Sequence, residues 1–124
     1  MAVIACVDSD VLIDYFDGVD AAAEELSRYD ALLISRISWI EVLVGAATPA
    51  LATTRENFLR RFQMVELSAE VARLSIALRQ EHRLRLPDAI VWASARASHA
   101  LLITRNTKDF PRKHPEVRVP YVLR

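Results

Sequence analysis

Four carboxylates in this sequence stand where short apolar runs give way to helix-starting residues: Asp8, Glu41, Asp88 and Asp109. Asp8 directly follows Ala2–Val7 (AVIACV). Glu41 falls in the first turn expected for the helix after Ala31–Ser35 (ALLIS). Asp88 falls in the first turn opened by Leu86-Pro87-Asp88. Asn106 and Asp109 follow Leu101–Thr104. No Asp occurs between Asp30 and Asp88, so these acids are sparse in the middle of the chain and return at element boundaries. Carboxylates pressed into one crevice repel and raise each other's pKa. A hard divalent cation removes that cost, and an all-oxygen set with no Cys or His run suits Mg²⁺ or Mn²⁺ rather than zinc.

Taken singly, each acid has a plainer role. A carboxylate in a helix's first turn is stabilised by the macrodipole by about 0.3–1 kcal/mol, enough to account for Glu41 or Asp88 alone. Asp8 and Asp10 can serve as helix caps. Four acids at strand ends, two of them among apolar neighbours (Trp39, Ile40, Val42; Pro87, Ala89, Ile90), are harder to explain this way. His82, His99 and His114 read as helix-end or solvated residues rather than ligands. Cys6 reads as a small core hydrophobe, and Trp39 and Trp92 as core residues. The sequence offers no Ser–His–Asp or Cys–His set and no Gly-rich loop to hold a nucleotide.

The elements that would position these acids alternate between strand and helix. Ala2–Val7, Ala31–Ser35, Met64–Leu67 and Leu101–Thr104 read as short buried strands, with Val117–Val122 a weak fifth set at the sheet edge by Pro120. Between them lie helical stretches at Val11–Phe16, from Asp20 to about Tyr29, from a capping box at Ser38–Glu41 to Ala47, over Pro49–Phe62, and from Ser68 to about Arg83. The last helix, over Ala89–Ala97, is apolar on almost every side and should be buried. Strands separated by helices build βαβ units, hence a mostly parallel sheet in a three-layer α/β sandwich. In such sheets ligands sit at the carboxyl ends of the strands, where the four acids fall.

With 124 residues and 14.0 kDa, the chain is expected to be one domain over residues 1–124. Two Gly and five Pro argue against a turn-rich all-β fold, and 52% hydrophobic with 26% charged residues against disorder. No apolar run is long enough for a membrane span and no secretion signal is evident, so a cytoplasmic location without membrane partners is expected. The formal net charge is zero, yet residues 1–50 carry nine acids against two bases and residues 51–124 fourteen bases against seven acids. Only Lys108 and Lys113 among the sixteen bases are Lys. Arg suits bidentate phosphate contacts, although the same residues could equally be solvated faces or partners for acids of the other half. Apolar residues beyond one stripe on the helices, as in Val42-Leu43-Val44 and Leu74–Leu78, point to a homodimer.

The chain resembles PIN-domain ribonucleases, specifically the VapC-type toxins of type II toxin–antitoxin systems, through Asp8-Ser9-Asp10-Val11-Leu12-Ile13, Ser38-Trp39-Ile40-Glu41-Val42 with Gly45, Leu86-Pro87-Asp88-Ala89-Ile90-Val91, and Leu102-Ile103-Thr104-Arg105-Asn106-Thr107-Lys108-Asp109-Phe110. The resemblance runs through almost the whole chain. It implies a parallel sheet of order 3-2-1-4-5, Mg²⁺-dependent (or Mn²⁺-dependent) endoribonuclease activity, a homodimer, and inhibition by a cognate antitoxin. The family's metal-binding, catalytic acids map onto Asp8, Glu41 and Asp88. Some relatives carry the fourth acid where this chain has Asn106, and others rely on the acid before Phe110, which is Asp109. Asp109 is favoured here, with Asn106, Ser9 and Thr104 as supporting polar contacts.

Three other readings are weighed against it. A receiver domain would need a phosphoacceptor Asp after the third strand, and none is there. A haloacid-dehalogenase-type phosphatase is suggested by Asp8-Ser9-Asp10 but lacks the expected residue at Leu12 and a late Gly-Asp motif. A PIN fold used as a catalytically inactive binding or scaffold module is the remaining alternative.

Overall fold

The computed structural model describes residues 3–123. Chain order is β1 (Ile4–Val7), α1 (Ser9–Phe16), α2 (Asp20–Leu26), β2 (Ala31–Ser35), α3 (Arg36–Val44), α4 (Pro49–Leu59), β3 (Gln63–Val65), α5 (Ala69–His82), α6 (Leu86–Ala97), β4 (Leu101–Ile103) and β5 (Val117–Arg118). The five strands are parallel in the order β3-β2-β1-β4-β5, as expected of a three-layer sandwich. Register places Cys6 beside Leu33 on one flank and beside Leu102 on the other, and Val7 beside Ile103. The first strand is therefore central, and its carboxyl end abuts that of β4. Ala2, the expected first strand residue, lies outside the described residues.

Alternation along the strands divides the core between two layers. Cys6, Leu33 and Leu102 face α5 and α6 and pack with Val71, Leu78, Trp92 and Phe110. Ala5, Val7, Ile34 and Ile103 face the other way, onto Val11, Leu12, Val42, Leu59 and Phe62. Helix α6 is buried continuously from Ala89 to Ala95, which accounts for a segment apolar all round. At its far end Arg96 forks onto Glu116 (2.9 and 3.1 Å) and Trp92 Nε1 donates to the same carboxylate at 3.1 Å, holding the approach to β5.

Several boundaries differ from expectation. Helix α3 begins at Arg36 with no intervening loop, because the Ser35 hydroxyl accepts from Ser38 N at 3.1 Å and caps it. The Ser38–Glu41 spacing is thus helix interior and not a capping box, and Glu41 lies in the second turn rather than the first. Helix α1 starts at Ser9, two residues earlier than expected, with Asp8 as its cap accepting from Ser9 N at 2.8 Å. Helix α2 stops at Leu26 and α4 at Leu59, β3 is Gln63–Val65, and β5 is only two residues long. Pro120 has no N–H to extend the β5 ladder.

The uneven charge along the chain is partly resolved by long-range pairing. Arg105 pairs with Asp14 and Arg118 with Glu25, each a base of the second half against an acid of the first. Among the described residues no helix is long and apolar enough to cross a membrane.

Candidate metal centre

Asp8 directly follows β1 and is 6% exposed. Its position follows from the sheet: its backbone N–H donates to Ile103 O (2.9 Å), which fixes the end of β1 against the end of β4. One carboxylate oxygen accepts from Ser9 N, and the other accepts from the buried Thr104 hydroxyl at 2.8 Å. Burial pushes the Asp8 carboxyl well above the ordinary carboxylate range, the charge of Asp10 pushes it further, and Glu41 adds to this. The two hydrogen bonds oppose the rise without cancelling it.

Glu41 reaches the same corner from α3. Its side chain is exposed and accepts from the Ser9 hydroxyl at 3.2 Å. Asp88, half-buried in the first turn of α6, is pushed up to about 6, first by burial and then by the charges of Asp109 and Glu41. Arg85 opposes this and Asp10 adds a little. Asp109 lies in the loop after β4, where Asn106 Nδ2 donates to Asp109 Oδ2 (2.9 Å) and Asp109 N donates back to Asn106 Oδ1 (3.2 Å). Asn106 N in turn donates to Thr104 Oγ1 at 3.1 Å.

Asp8 is thus raised by the neighbouring charges of Asp10 and Glu41, and Asp88 by those of Asp109, Glu41 and Asp10, but among the described residues no three of these acids stand close enough to share one ion. Uncompensated carboxylates keep apart for the reason that raises their pKa values. The donor set is oxygen only, so what the crevice fits is a hard divalent cation. His82 and His114 lie elsewhere, packed on Trp92 with ring centroids 4.7 and 4.9 Å away.

Four residues beside the crevice have no site role legible in the sequence: Asp10, Asp14, Arg105 and Tyr121. Locally, Asp10 reads as a helix cap within the Asp8-Ser9-Asp10 motif. It does accept from Val11 N (2.7 Å), but its other oxygen accepts from Arg105 N at 3.1 Å and lies 3.4 Å from the Thr104 hydroxyl. Asp14, 5% exposed, takes the Arg105 guanidinium on both oxygens. Tyr121 donates to Asp14 as well, at 2.7 Å. The spacing Asp10-x-x-x-Asp14 puts both acids on one face of α1, which is a usable signal. Nothing local indicates that Arg105 and Tyr121 meet them.

The family model described as PIN domain matches residues 5–114. A chain of a toxin-antitoxin complex from Klebsiella pneumoniae is 41% identical, with a TM-score of 0.90 over 96% of this chain and 99% of that one. A chain of VapBC2 from Rickettsia felis, bound to a DNA fragment from its promoter, is 22% identical with a TM-score of 0.73 (92% and 95% covered). A chain of FitAcB from Neisseria gonorrhoeae is 16% identical with a TM-score of 0.76 (96% and 99% covered). The last two are similar in fold alone. No curated protein matches the sequence.

Proposed function

Because the chain belongs to the PIN domain family, we propose that it is a divalent-metal-dependent endoribonuclease and the toxin of a toxin–antitoxin pair. The observation that carries this reading is that Asp8 and Asp88 are each raised by the charges of neighbouring carboxylates, Asp10, Glu41 and Asp109, from α1, α3 and the loop after β4. Such an arrangement costs stability unless a cation is bound there, so it is accounted for by binding one.

Asp8, Glu41, Asp88 and Asp109 are the residues that would hold Mg²⁺, with Mn²⁺ as a substitute. A bound ion of this kind supplies activation of water and stabilisation of charge on the scissile phosphate. Thr104 and Ser9 orient Asp8 and Glu41 by hydrogen bonding, and Asn106 orients Asp109. Arg85, exposed at the start of α6 beside Asp88, is placed to meet RNA phosphate, and unpaired RNA loops are the accessible substrates. The 41% identity to a chain from a toxin-antitoxin complex supports a cognate antitoxin as partner. The protein would act in the cytoplasm as a homodimer of single domains.

Incubating the purified protein with RNA and Mg²⁺ tests the reading. Cleavage should vanish with EDTA and in Asp8→Asn or Asp88→Asn, while both variants remain folded. Wild-type rates in the variants, or cation uptake that does not depend on these acids, would favour the scaffold alternative.

A further inference from the structure

The loop from Thr104 to Phe110 carries Asn106 and Asp109, and it is held at both ends. Phe110 anchors one end in the core at 2% exposure. At the other end Arg105 reaches back to α1: its Nε donates to Asp14 Oδ2 at 2.7 Å and its Nη2 to Asp14 Oδ1 at 3.0 Å. Its backbone N–H donates to Asp10, and the adjacent Thr104 hydroxyl to Asp8. The Tyr121 hydroxyl, from the C-terminal segment, closes on the same Asp14 oxygen. Asp10 and Asp14 thus lie on one face of α1 just after Asp8, and Arg105 meets Asp10 through its backbone N–H and Asp14 through its guanidinium.

A part-buried ion pair of this kind adds little net stability, because desolvation of Asp14 and solvent screening at the one-third-exposed Arg105 offset most of its attraction. What it does supply is a fixed relation between the two segments it joins. Those segments carry Asp8 and Asp109. We propose that Arg105 is a positioning residue: clamped by Asp14 and Tyr121, it sets the Asp109 loop against the end of β1 so that one cation can be gripped from both sides. This rests on the metal-centre reading above. Removing the clamp leaves the loop tied to β1 and α1 by the Thr104–Asp8 bond and the Arg105 backbone N–H alone, with Phe110 at its far end, and the ion must then order more of the loop as it binds. Outer partners of metal ligands typically contribute about 10–100-fold in metal affinity or activity.

The experiment is Mn²⁺ titration of full-length wild type, Arg105→Ala, Tyr121→Phe and Arg96→Gln by calorimetry, with melting in EDTA measured alongside. Arg96→Gln breaks the Glu116 fork at the opposite end of α6 from Asp88, and it controls for destabilisation alone. Arg105→Ala should weaken Mn²⁺ binding about tenfold or more. Tyr121→Phe, which keeps the Arg105–Asp14 pair, should weaken it by a smaller factor, and Arg96→Gln should leave it unchanged however far its melting point falls. Saturating Mn²⁺ should restore RNA cleavage by Arg105→Ala. If Arg105→Ala does not fold, Arg105→Lys keeps the charge but loses the fork, and it too should bind Mn²⁺ more weakly. Wild-type affinity in a folded Arg105 variant would overturn the inference alone. Wild-type protein that takes up no Mn²⁺ would overturn the metal-centre reading and this inference with it.

Discussion

The Thr104 hydroxyl donates to Asp8 Oδ2 at 2.8 Å across 96 residues of sequence, and both side chains are buried. This bond spans the seam between β1 and β4, where the central strand meets its neighbour. It gives the most buried acid of the crevice one of its two hydrogen-bond donors, the other being Ser9 N. The same oxygen of Thr104 accepts from Asn106 N, so one hydroxyl ties the loop after β4 to the end of β1.

Thr104→Val, close to isosteric, should therefore cost about 1–3 kcal/mol, the range for leaving a buried polar group unpaired. Thr104→Ser should recover most of it. Urea denaturation of the two variants checks this, and equal stability of the Val variant and wild type would contradict it.

Asp8→Asn should stabilise the metal-free protein. The folded chain holds the Asp8 proton more tightly than the unfolded chain does, because burial and Asp10 disfavour the charge. The carboxyl is therefore tolerated at low pH and becomes increasingly destabilising as pH climbs past the ordinary carboxylate range toward the raised value. In EDTA the variant should melt above wild type by roughly 4 °C or more at about pH 8, with the gap closing toward about pH 4. A gap that widens on acidification would reverse the sign.

Asp109→Asn should reduce RNA cleavage less than Asp8→Asn. Asp109 sits on a loop already bonded to Asn106, whose amide oxygen can serve as a neutral ligand, whereas Asp8 is fixed at the centre of the sheet. Steady-state rates across a Mg²⁺ series would show the difference as a raised Mg²⁺ requirement. Equal and complete loss in both variants would make the fourth acid indispensable.

Glu25→Gln addresses a second buried carboxylate. Glu25 takes the Arg118 fork at 2.7 and 3.0 Å and the Tyr29 hydroxyl. Burial pushes its carboxyl up, but the Arg118 and Tyr29 hydrogen bonds and the Arg118 and Arg28 charges outweigh this and hold it below its ordinary value. Its contribution is thus present above the ordinary carboxylate range and lost as pH falls through the lowered value. The variant should lose about 1–2 kcal/mol near neutral pH, less than a fully buried pair because the Arg118 side chain is 35% exposed. Denaturation at several pH values should show the loss shrinking in acid.

Light scattering at micromolar concentration should give twice the 14.0 kDa chain mass. Val44, Ile76, Leu86 and Leu67 are all more than half exposed, more large apolar surface than a small isolated domain usually leaves open. A mass of one chain would remove the dimer from the proposed function.

The type and order of the elements are legible in local pattern, whereas several of their boundaries are not. Ile4–Val7, ALLIS and the run after Ala100 are short, apolar and bounded by helix-starting or turn residues, which is the pattern of strands in a covered sheet. The segment Ala89–Ala97 is apolar on almost every side, Ser94 and Arg96 apart, so it is enclosed. Ser68 and Leu86-Pro87-Asp88 start helices where expected, because cap and first-turn preferences depend only on neighbours in the chain. The parallel order followed from resemblance, not from periodicity. What lay beyond local reading was decided by the sheet. With Val7 registered against Ile103, Asp8 meets Thr104, and the loop after β4 lies over α1. Only then do Asp10, Asp14, Arg105 and Tyr121 form one network, since a side chain's partner across a sheet is set by register and not by sequence distance. The start of α3 was missed for a related reason. Ser35 and Ser38 both look like caps in sequence, and it is the end of β2, pinned by its pairing with β1 and β3, that puts Ser35 in the capping position and sends Glu41 outward to Ser9.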